Sequence, residues 1–339
     1  MANRFLDWFL FKDDPIQEVK DEPIIENNAI LQNIPPNQIL QTKHIFRPIK
    51  WEEYIGQDKA KKRLQLRAKG CKEKGQIFPH TLIYGKPGTG KTTLARLLAN
   101  ELNVDMAEVI TSSIEHFWKL KSIINKSEGK IIFLDEVHGL NRDTAEKMYP
   151  ILEDFLYNGK RVPEFTLVAA TTELGEIIKK MKPFFDRFKI IIELEQYKTK
   201  EMVQIIKQYK QKLFPIENFN DLWYNEIALN CRLIPRNGIR IFEEVLFTKD
   251  LKEVLHNLGI IKNGFTQKDL KILQYITNNE KGAGLQSIAA YIDTSTQDYL
   301  YQVEPYLLQS GSISRTSRGR KITEKGLALI EELEKTMRG

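Results

Sequence analysis

Between about Phe46 and residue 194 the chain alternates between two hydrophobic patterns. Short apolar runs such as Thr81-Leu82-Ile83-Tyr84 and Ile131-Ile132-Phe133-Leu134 read as buried strands, and stretches such as Thr92 to Leu102 and Asp143 to Phe155 have helical spacing. That alternation predicts an α/β fold, a parallel sheet covered by helices. From about Tyr197 to Lys262 the strand runs disappear, and segments such as EMVQIIKQYKQKL and IRIFEEVLF predict a small helical domain. After Asn263-Gly264 the pattern gives a helix over Gln267 to Asn278, a Gly-rich turn, a short helix over Leu285 to Ile292 and a longer one over Thr296 to Gln309. A Ser/Arg/Gly-rich stretch, Ser310 to Arg320, follows and suggests a two-stranded hairpin, so this end reads as a winged-helix domain. Residues 12 to 45 show no sustained period and are rich in Asp, Glu, Asn, Gln and Pro, as expected of an extended leader. The expected organisation is therefore a leader over 1–45, a sheet domain over 46–194, a helical domain over 195–262 and a winged helix over 263–339.

Composition sharpens this only in places. The 339 residues are 42% apolar and 28% charged, which is ordinary for a globular chain of two or three domains. The net charge of +6 is too small to imply a nucleic-acid partner by itself. Its distribution says more, because residues 1 to 26 hold seven acids against three bases and leave the rest of the chain distinctly basic. Cys71 and Cys231 stand far apart, with no disulfide or zinc spacing, which fits a reducing, cytoplasmic location. The apolar opening around Phe5 to Phe11 is interrupted by Asp7 and is too short to span a bilayer, so neither an anchor nor a signal peptide is expected.

The chemistry concentrates at strand ends. Gly85-Lys86-Pro87-Gly88-Thr89-Gly90-Lys91-Thr92 fits G-x-x-x-x-G-K-[ST] between an apolar strand and a helix. Gly85, Gly88 and Gly90 let backbone N–H groups close around phosphate oxygens, and the helix N-terminus, with Thr92 and Thr93, adds partial positive charge. Lys91 should reach the β and γ phosphates of ATP, and Thr92 should ligate Mg²⁺. The run Ile131 to Leu134 ends in Asp135-Glu136, placing one carboxylate to hold Mg²⁺ and another to polarise the attacking water. A third apolar run, Phe165 to Ala170, ends in Thr171-Thr172, hydroxyls able to bond the γ-phosphate or the water. Arg187, flanked by aromatics in Pro183-Phe184-Phe185-Asp186-Arg187-Phe188, reads on its own as a surface ion pair or a stacked guanidinium. His138 reads as a local hydrogen-bonding group rather than a catalytic base, since Glu136 already fills that position. Arg315, Arg318, Arg320 and Lys321 crowd between small residues, which suits contact with phosphate or a groove, although such a run can also be a solvated face.

In this order the loop, the DEVH strand, the ATT strand end and the RF turn resemble the AAA+ superfamily, and within it the RuvB family. Arg47-Pro48 with Glu53-Tyr54-Ile55-Gly56-Gln57 resembles that family's adenine-side signature, and Tyr149-Pro150 with Glu153-Asp154-Phe155 the segment after its Walker B strand. Glu304-Pro305-Tyr306-Leu307 and Arg315 to Arg320 resemble its last helix and DNA-binding wing. The resemblance implies nucleotide contacts from Arg47, Tyr54 and Ile55, a sensor 1 role for Thr172, a sensor 2 role for Arg236 and an arginine finger at Arg187. It also implies a homo-oligomeric ring, a hexamer, working on branched or duplex DNA in recombination, repair or replication, with the finger acting on the neighbouring subunit's ATP.

Two features depart from the family pattern. Only the nine residues Leu156 to Glu164 join the second and third motif strands, enough for a tight hairpin but not for the longer one that engages RuvA, which counts against a standard RuvA-type partner. The aromatic, acidic residues 1–14 are an addition that either recruits another protein or packs on its own ring. Against the motor reading stand a helicase-loader or clamp-loader-like ATPase, disfavoured by the winged-helix end, and a DNA-binding regulator whose ATPase only switches assembly, disfavoured by a complete set of catalytic positions.

Overall fold

A computed structural model describes residues 47–279 and 281–338; the leader expected over 1–45 lies outside them. The strands of the first half are β1 (Thr81–Tyr84), β2 (Met106–Ile110), β3 (Ile131–Asp135), the short β4 (Leu156–Tyr157) and β5 (Lys160–Arg161), β6 (Thr166–Thr171) and β7 (Ile190–Glu193). Five of them form one sheet in the order β2-β3-β6-β1-β7, and every pair is parallel. β6 is buried along its whole length, which is why its sequence is a continuous apolar run rather than an alternation. Successive residues still face opposite sides. Leu82, Ile132, Leu134, Leu167 and Ala169 join one core, whereas Ile83, Ile131, Phe133, Val168 and Ala170 join the other.

Helices cover both faces. α1 (Asp58–Glu73) and α2 (Lys91–Leu102) present Leu64, Ala68, Leu94 and Leu98 to one core, and α3 (Phe117–Ile124), α4 (Arg142–Asp154) and α5 (Leu174–Lys180) present Leu120, Met148, Ile151 and Ile177 to the other. Asn141 starts α4 by accepting the Thr144 N–H at 2.8 Å. β4 and β5 make the tight hairpin that the short connection predicts, with two residues on each strand. After the short α6 (Lys182–Phe185) and β7, α7 (Thr199–Leu213), α8 (Asp221–Asn230), α9 (Pro235–Thr248) and α10 (Leu251–Asn257) pack around Tyr209, Phe214, Tyr224 and Phe242. No helix among the described residues is long and apolar enough to cross a membrane.

The last part differs from the sequence expectation in three ways. First, β8 (Ile260–Lys262) lies in a stretch read as helical and pairs with β9 (Phe265–Thr266) ahead of α11 (Gln267–Thr277) and α12 (Leu285–Tyr291). Secondly, the helix expected over Thr296 to Gln309 is divided into α13 (Thr296–Asp298), a widened π turn over Tyr299–Val303, and α14 (Glu304–Gln309). Pro305 explains the break, because it has no N–H for the Tyr301 carbonyl and its ring crowds that turn. Thirdly, the wing, β10 (Ile313–Thr316) against β11 (Gly319–Ile322), is followed by an unforeseen helix, α15 (Glu324–Arg338), which buries Leu333 in the winged-helix core.

Arg232 ties the helical block to this end of the chain. Its Nε donates to the Gly264 carbonyl at 2.9 Å, its terminal nitrogen pairs with buried Asp269, and its guanidinium lies 4.5 Å from the centre of the Tyr306 ring. Asp269 also accepts the Thr266 N–H and hydroxyl, both at 2.7 Å, so the carboxylate that caps α11 is the one Arg232 reaches. Arg232 and Leu233 both have φ of 56°, a left-handed conformation costing roughly 1–2 kcal/mol per non-glycine residue, which these contacts offset.

Gly326 gives a test of this packing in which the sign is informative. In a helix interior Gly→Ala normally stabilises by about 1 kcal/mol. Here a Cβ would overlap the Ser312 carbonyl and crowd Ile322. Gly326→Ala should therefore lower the thermal unfolding temperature of the full chain, and an increase would show that α15 does not seat on Ser312 as described.

Candidate functional site

The sheet order decides what meets what. β3, β6 and β1 are neighbours, so Asp135-Glu136, Thr171-Thr172 and the loop starting at Gly85 lie side by side at the C-terminal edge. The Gly85 N–H donates to the Thr171 carbonyl at 3.3 Å and fastens the loop to β6.

Behind the loop, hydrogen bonds hold its carbonyls inward. The Tyr54 hydroxyl lies 3.4 Å from the Thr89 carbonyl and 3.3 Å from that of Gly90, and the Tyr197 hydroxyl donates to Thr89 at 3.1 Å. Burial raises the pKa of both phenols, so both keep the proton they donate. Lys91, itself buried, donates to the Gly85 and Lys86 carbonyls at 3.0 and 3.1 Å. Gly90 has φ of 99°, and a Cβ there would stand 2.6 Å from the Tyr54 hydroxyl, so the residue must be glycine on both counts. Gly88, also at positive φ, sits against Ile234 and the Cβ of Arg236. Thr92 and Thr93 occupy the first turn of α2, and half-buried Ile55 follows Tyr54.

Positive charge converges on this loop. Burial lowers the pKa of Lys91, Asp135 and Glu136 pull it back up, and Arg236 pushes it further down. Arg47 is lowered by burial, then by Arg96, and also by Arg236, and one of its terminal nitrogens is buried without a hydrogen-bond partner. Arg236 disfavours charge on both Lys91 and Arg47, Glu108 offsets part of this at Arg47, and the orphaned Arg47 nitrogen is left for an anionic ligand.

The acids are held more tightly than the sequence suggests. Thr111, at the end of β2, donates to the carbonyls of both Asp135 and Glu136. Burial, followed by the Glu136 charge, raises the pKa of Asp135. Glu136 has φ of 51°, a strained value for a non-glycine residue that turns its side chain along the sheet edge. Its Oε2 accepts from the Thr172 N–H at 3.3 Å and the Thr172 hydroxyl at 3.1 Å. His138 Nδ1 lies 3.3 Å from the same oxygen and 3.1 Å from the Thr171 hydroxyl, and His138 Nε2 lies 3.4 Å from Glu173. Tyr197, Thr111 and Glu173 were not marked by any motif, whereas Thr171 belongs to the Thr171-Thr172 strand end already singled out. Only their position at or just after strand ends could have pointed to them.

Other expected site residues stand apart. Arg187 pairs with Glu153 at 2.6 Å, donates weakly to the Pro183 carbonyl and lies 5.9 Å from the Tyr149 ring, so its contacts are with α4 and α6 rather than with the loop of its own chain. In the wing, Arg315 and Arg320 each grip the fully buried Glu304 with two nitrogens at 2.7–3.1 Å. Burial alone would raise Glu304, but the hydrogen bonds and charges of Arg320 and Arg315 outweigh it and hold the carboxyl below its usual value. The three wing arginines expected to contact a groove or phosphate are therefore not equivalent in their surroundings. Arg320 is largely buried, Arg315 is half-exposed, and Arg318 at the hairpin tip is exposed with no ion-pair partner among the described residues.

The comparisons with known proteins agree with this layout at both ends of the chain. Residues 46–194 match the family model of the Holliday junction DNA helicase RuvB P-loop domain, and residues 262–331 that of the RuvB C-terminal winged helix domain. A Holliday junction branch migration complex subunit RuvB from Ureaplasma urealyticum is 33% identical over 313 residues, covering 86% of this chain and 98% of the relative. The corresponding subunit of Campylobacter lari is 33% identical over 89% of this chain and 95% of its own length. Among solved structures, the Thermotoga maritima RuvB Holliday junction branch migration motor superposes with a TM-score of 0.76 at 33% identity, over 85% of this chain and 98% of that one. The family models take in both the phosphate loop and the wing, the relatives cover more than four fifths of the chain at over 30% identity, and the chain belongs to the RuvB family.

Proposed function

We propose that the chain is an ATP-driven motor of RuvB type that moves the arms of branched DNA such as a Holliday junction, or duplex DNA, as a ring of subunits, a hexamer, in the cytoplasm. The observation that carries this reading is the adjacency of β3, β6 and β1, which brings the phosphate loop, the paired acids and a hydroxyl-bearing strand end to one edge in a chain that also carries a basic wing.

In this reading Lys91 exchanges its two loop carbonyls for the β and γ phosphates of ATP, and the N–H groups of Gly88 and of Gly90 to Thr93 close around them. Arg47, Tyr54 and Ile55 flank the adenine side, and Arg236 reports on the phosphates. Mg²⁺, when bound, spreads the charge of the phosphate oxygens. The Thr92 hydroxyl and Asp135 would hold it, an all-oxygen pair that suits a hard cation. Glu136 is anchored through Oε2 by Thr172, which leaves Oε1 to orient and polarise the attacking water. Arg187 acts on the neighbouring subunit's ATP, exchanging Glu153 for a γ-phosphate oxygen. The small β4–β5 hairpin argues that no standard RuvA-type partner is engaged there. On the DNA side, Arg318 with Lys321 contacts phosphate, while Arg315 and Arg320 chiefly shape the wing through Glu304.

ATP-dependent dissociation of a synthetic four-way junction with movable arms, measured alongside ATP hydrolysis, tests the proposal. Glu136→Gln should lower the hydrolysis rate by about 100-fold or more while ATP still binds, and should abolish arm movement. DNA-stimulated hydrolysis by the unaltered chain with no arm movement would instead mark it as a loader.

The wing assignment separates in a salt titration of DNA binding. Arg318→Ala should weaken binding and reduce the slope of log K against log salt by about one, without loss of stability. Arg320→Ala should destabilise the winged helix by about 3 kcal/mol, because it leaves Glu304 buried with one partner fewer. An unchanged salt slope in Arg318→Ala would remove that residue from the interface.

A further inference from the structure

The phosphate loop is also fastened at its outer end, by a side chain that no motif marks. Lys86, the second residue of the loop, is half-buried, and its ammonium donates to the side-chain oxygen of Gln309 and, at 3.4 Å, to that of Gln196. Gln309 Nε2 donates in turn to Gln196 Oε1, and Gln196 Nε2 donates to the Arg232 carbonyl at 3.3 Å. The polarity runs one way through the set: the ammonium meets two amide oxygens, and each amide passes its own N–H onward. Among the described residues Lys86 pairs with no carboxylate, so the two glutamines hold the cation.

Four separate parts of the chain meet here. Lys86 follows β1, Gln196 lies between β7 and α7, Arg232 follows α8, and Gln309 closes α14 at the winged-helix end. α14 has six residues, and it carries at its start Glu304, the carboxylate gripped by the wing arginines, and at its end the amide that reaches the loop. The main chain of Lys86 belongs to the phosphate site itself, since its carbonyl accepts from Lys91 at 3.1 Å and from the Thr89 hydroxyl at 2.8 Å. Gly85 and Gly88 on either side have φ of 156° and 74°, so this stretch has little stiffness of its own. A side-chain tether at Lys86 removes freedom that ATP binding would otherwise have to remove.

We propose that Lys86, Gln196 and Gln309 are positioning residues through which the seated winged-helix domain fixes the outer end of the phosphate loop, so that affinity for ATP depends on that seating. The proposal rests on the reading of Gly85 to Thr92 as the ATP site. Gln309 acts only through the Lys86 side chain and the Gln196 amide that braces it. With the ammonium anchored, the backbone from Gly85 to Gly88 keeps one path and its N–H groups stay aimed at the phosphates. Released from Gln309, the two glycines let that path wander, and the ordering cost falls on ATP binding. Its effect therefore belongs on the ATP dissociation constant and KM, and not on the rate once ATP is bound.

The test uses the full chain, with titration calorimetry of a non-hydrolysable ATP analogue plus Mg²⁺ and steady-state ATP hydrolysis, comparing Gln309→Ala, Lys86→Met, the double variant and Lys91→Ala. Gln309 is exposed and uncharged, so its truncation changes neither the core nor the charge near the phosphates. Gln309→Ala should raise Kd for the analogue and KM for ATP about three- to tenfold while leaving kcat within about twofold. Lys86→Met removes a cation near the phosphates and should weaken binding on that ground too, so the decisive comparison is Gln309→Ala in the two backgrounds. Added to Lys86→Met it should change Kd by less than about twofold, because its route to the loop is already cut. Wild-type Kd in Gln309→Ala, a loss confined to kcat, or the same loss of affinity with and without the Lys86 ammonium each overturn the proposal. Lys91→Ala reports separately: if it binds the analogue normally, the loop is not the ATP site, whereas lost binding there beside a normal Gln309→Ala defeats the tether alone.

Discussion

Two buried phenols converge on one backbone carbonyl, that of Thr89, and the phosphate loop takes its shape from that contact. A loop can offer its N–H groups to an anion only if its carbonyls are satisfied elsewhere, because an unpaired buried carbonyl would turn back into the site. Tyr54 and Tyr197 meet that requirement at Thr89 and Gly90, and Lys91 caps the Gly85 and Lys86 carbonyls ahead of phosphate binding. The arrangement leaves no room at Gly90, where the Tyr54 hydroxyl occupies the volume a side chain would need. The two phenols come from segments far apart in sequence, one before α1 and one between β7 and α7. Closure of the chain around β1 is therefore a precondition for a competent loop.

Much of this was legible from residue patterns, for identifiable reasons. The apolar runs ending in Asp135 and in Thr171 are buried on both faces, so hydrophobic continuity alone marked them as central strands, and the glycine spacing of the loop is demanded by its own geometry. The small hairpin after α4 was legible from length alone. What periodicity could not show was partnership. Nothing in the run Arg315 to Lys321 reveals that Glu304 lies beneath it, so a cluster that reads as uniformly basic divides into arginines held by a carboxylate and one left at the tip. Likewise Thr296 to Gln309 has unbroken helical spacing, and only the missing N–H of Pro305 opens the turn that carries Tyr301 outward. α15 escaped because the polar wing before it drew the reading, although its amphipathic residues bury Leu333 against the same core as α11.

Polar residues near the paired acids serve geometry as much as chemistry. Glu136 sits at a strained backbone angle and is gripped by Thr172 from one side and His138 from the other, while Thr111 secures the two carbonyls beneath it. Such a carboxylate gives up rotational freedom before any ligand arrives. The neighbouring cations have a different character, since Arg236 disfavours charge on Lys91 and Arg47 while the acids Asp135, Glu136 and Glu108 favour it.

Arg232 gives the architecture a mechanical consequence. Its planar fork reaches both the Gly264 carbonyl and the capping carboxylate of α11, and its face lies on Tyr306, so a lysine, a point charge on a flexible stem, could not reproduce the joint. The helical block and the winged helix are thereby joined through a single side chain that makes three different kinds of contact. Arg236 stands four residues from this joint, so one short stretch of chain both borders the phosphate loop at Gly88 and fastens the winged helix.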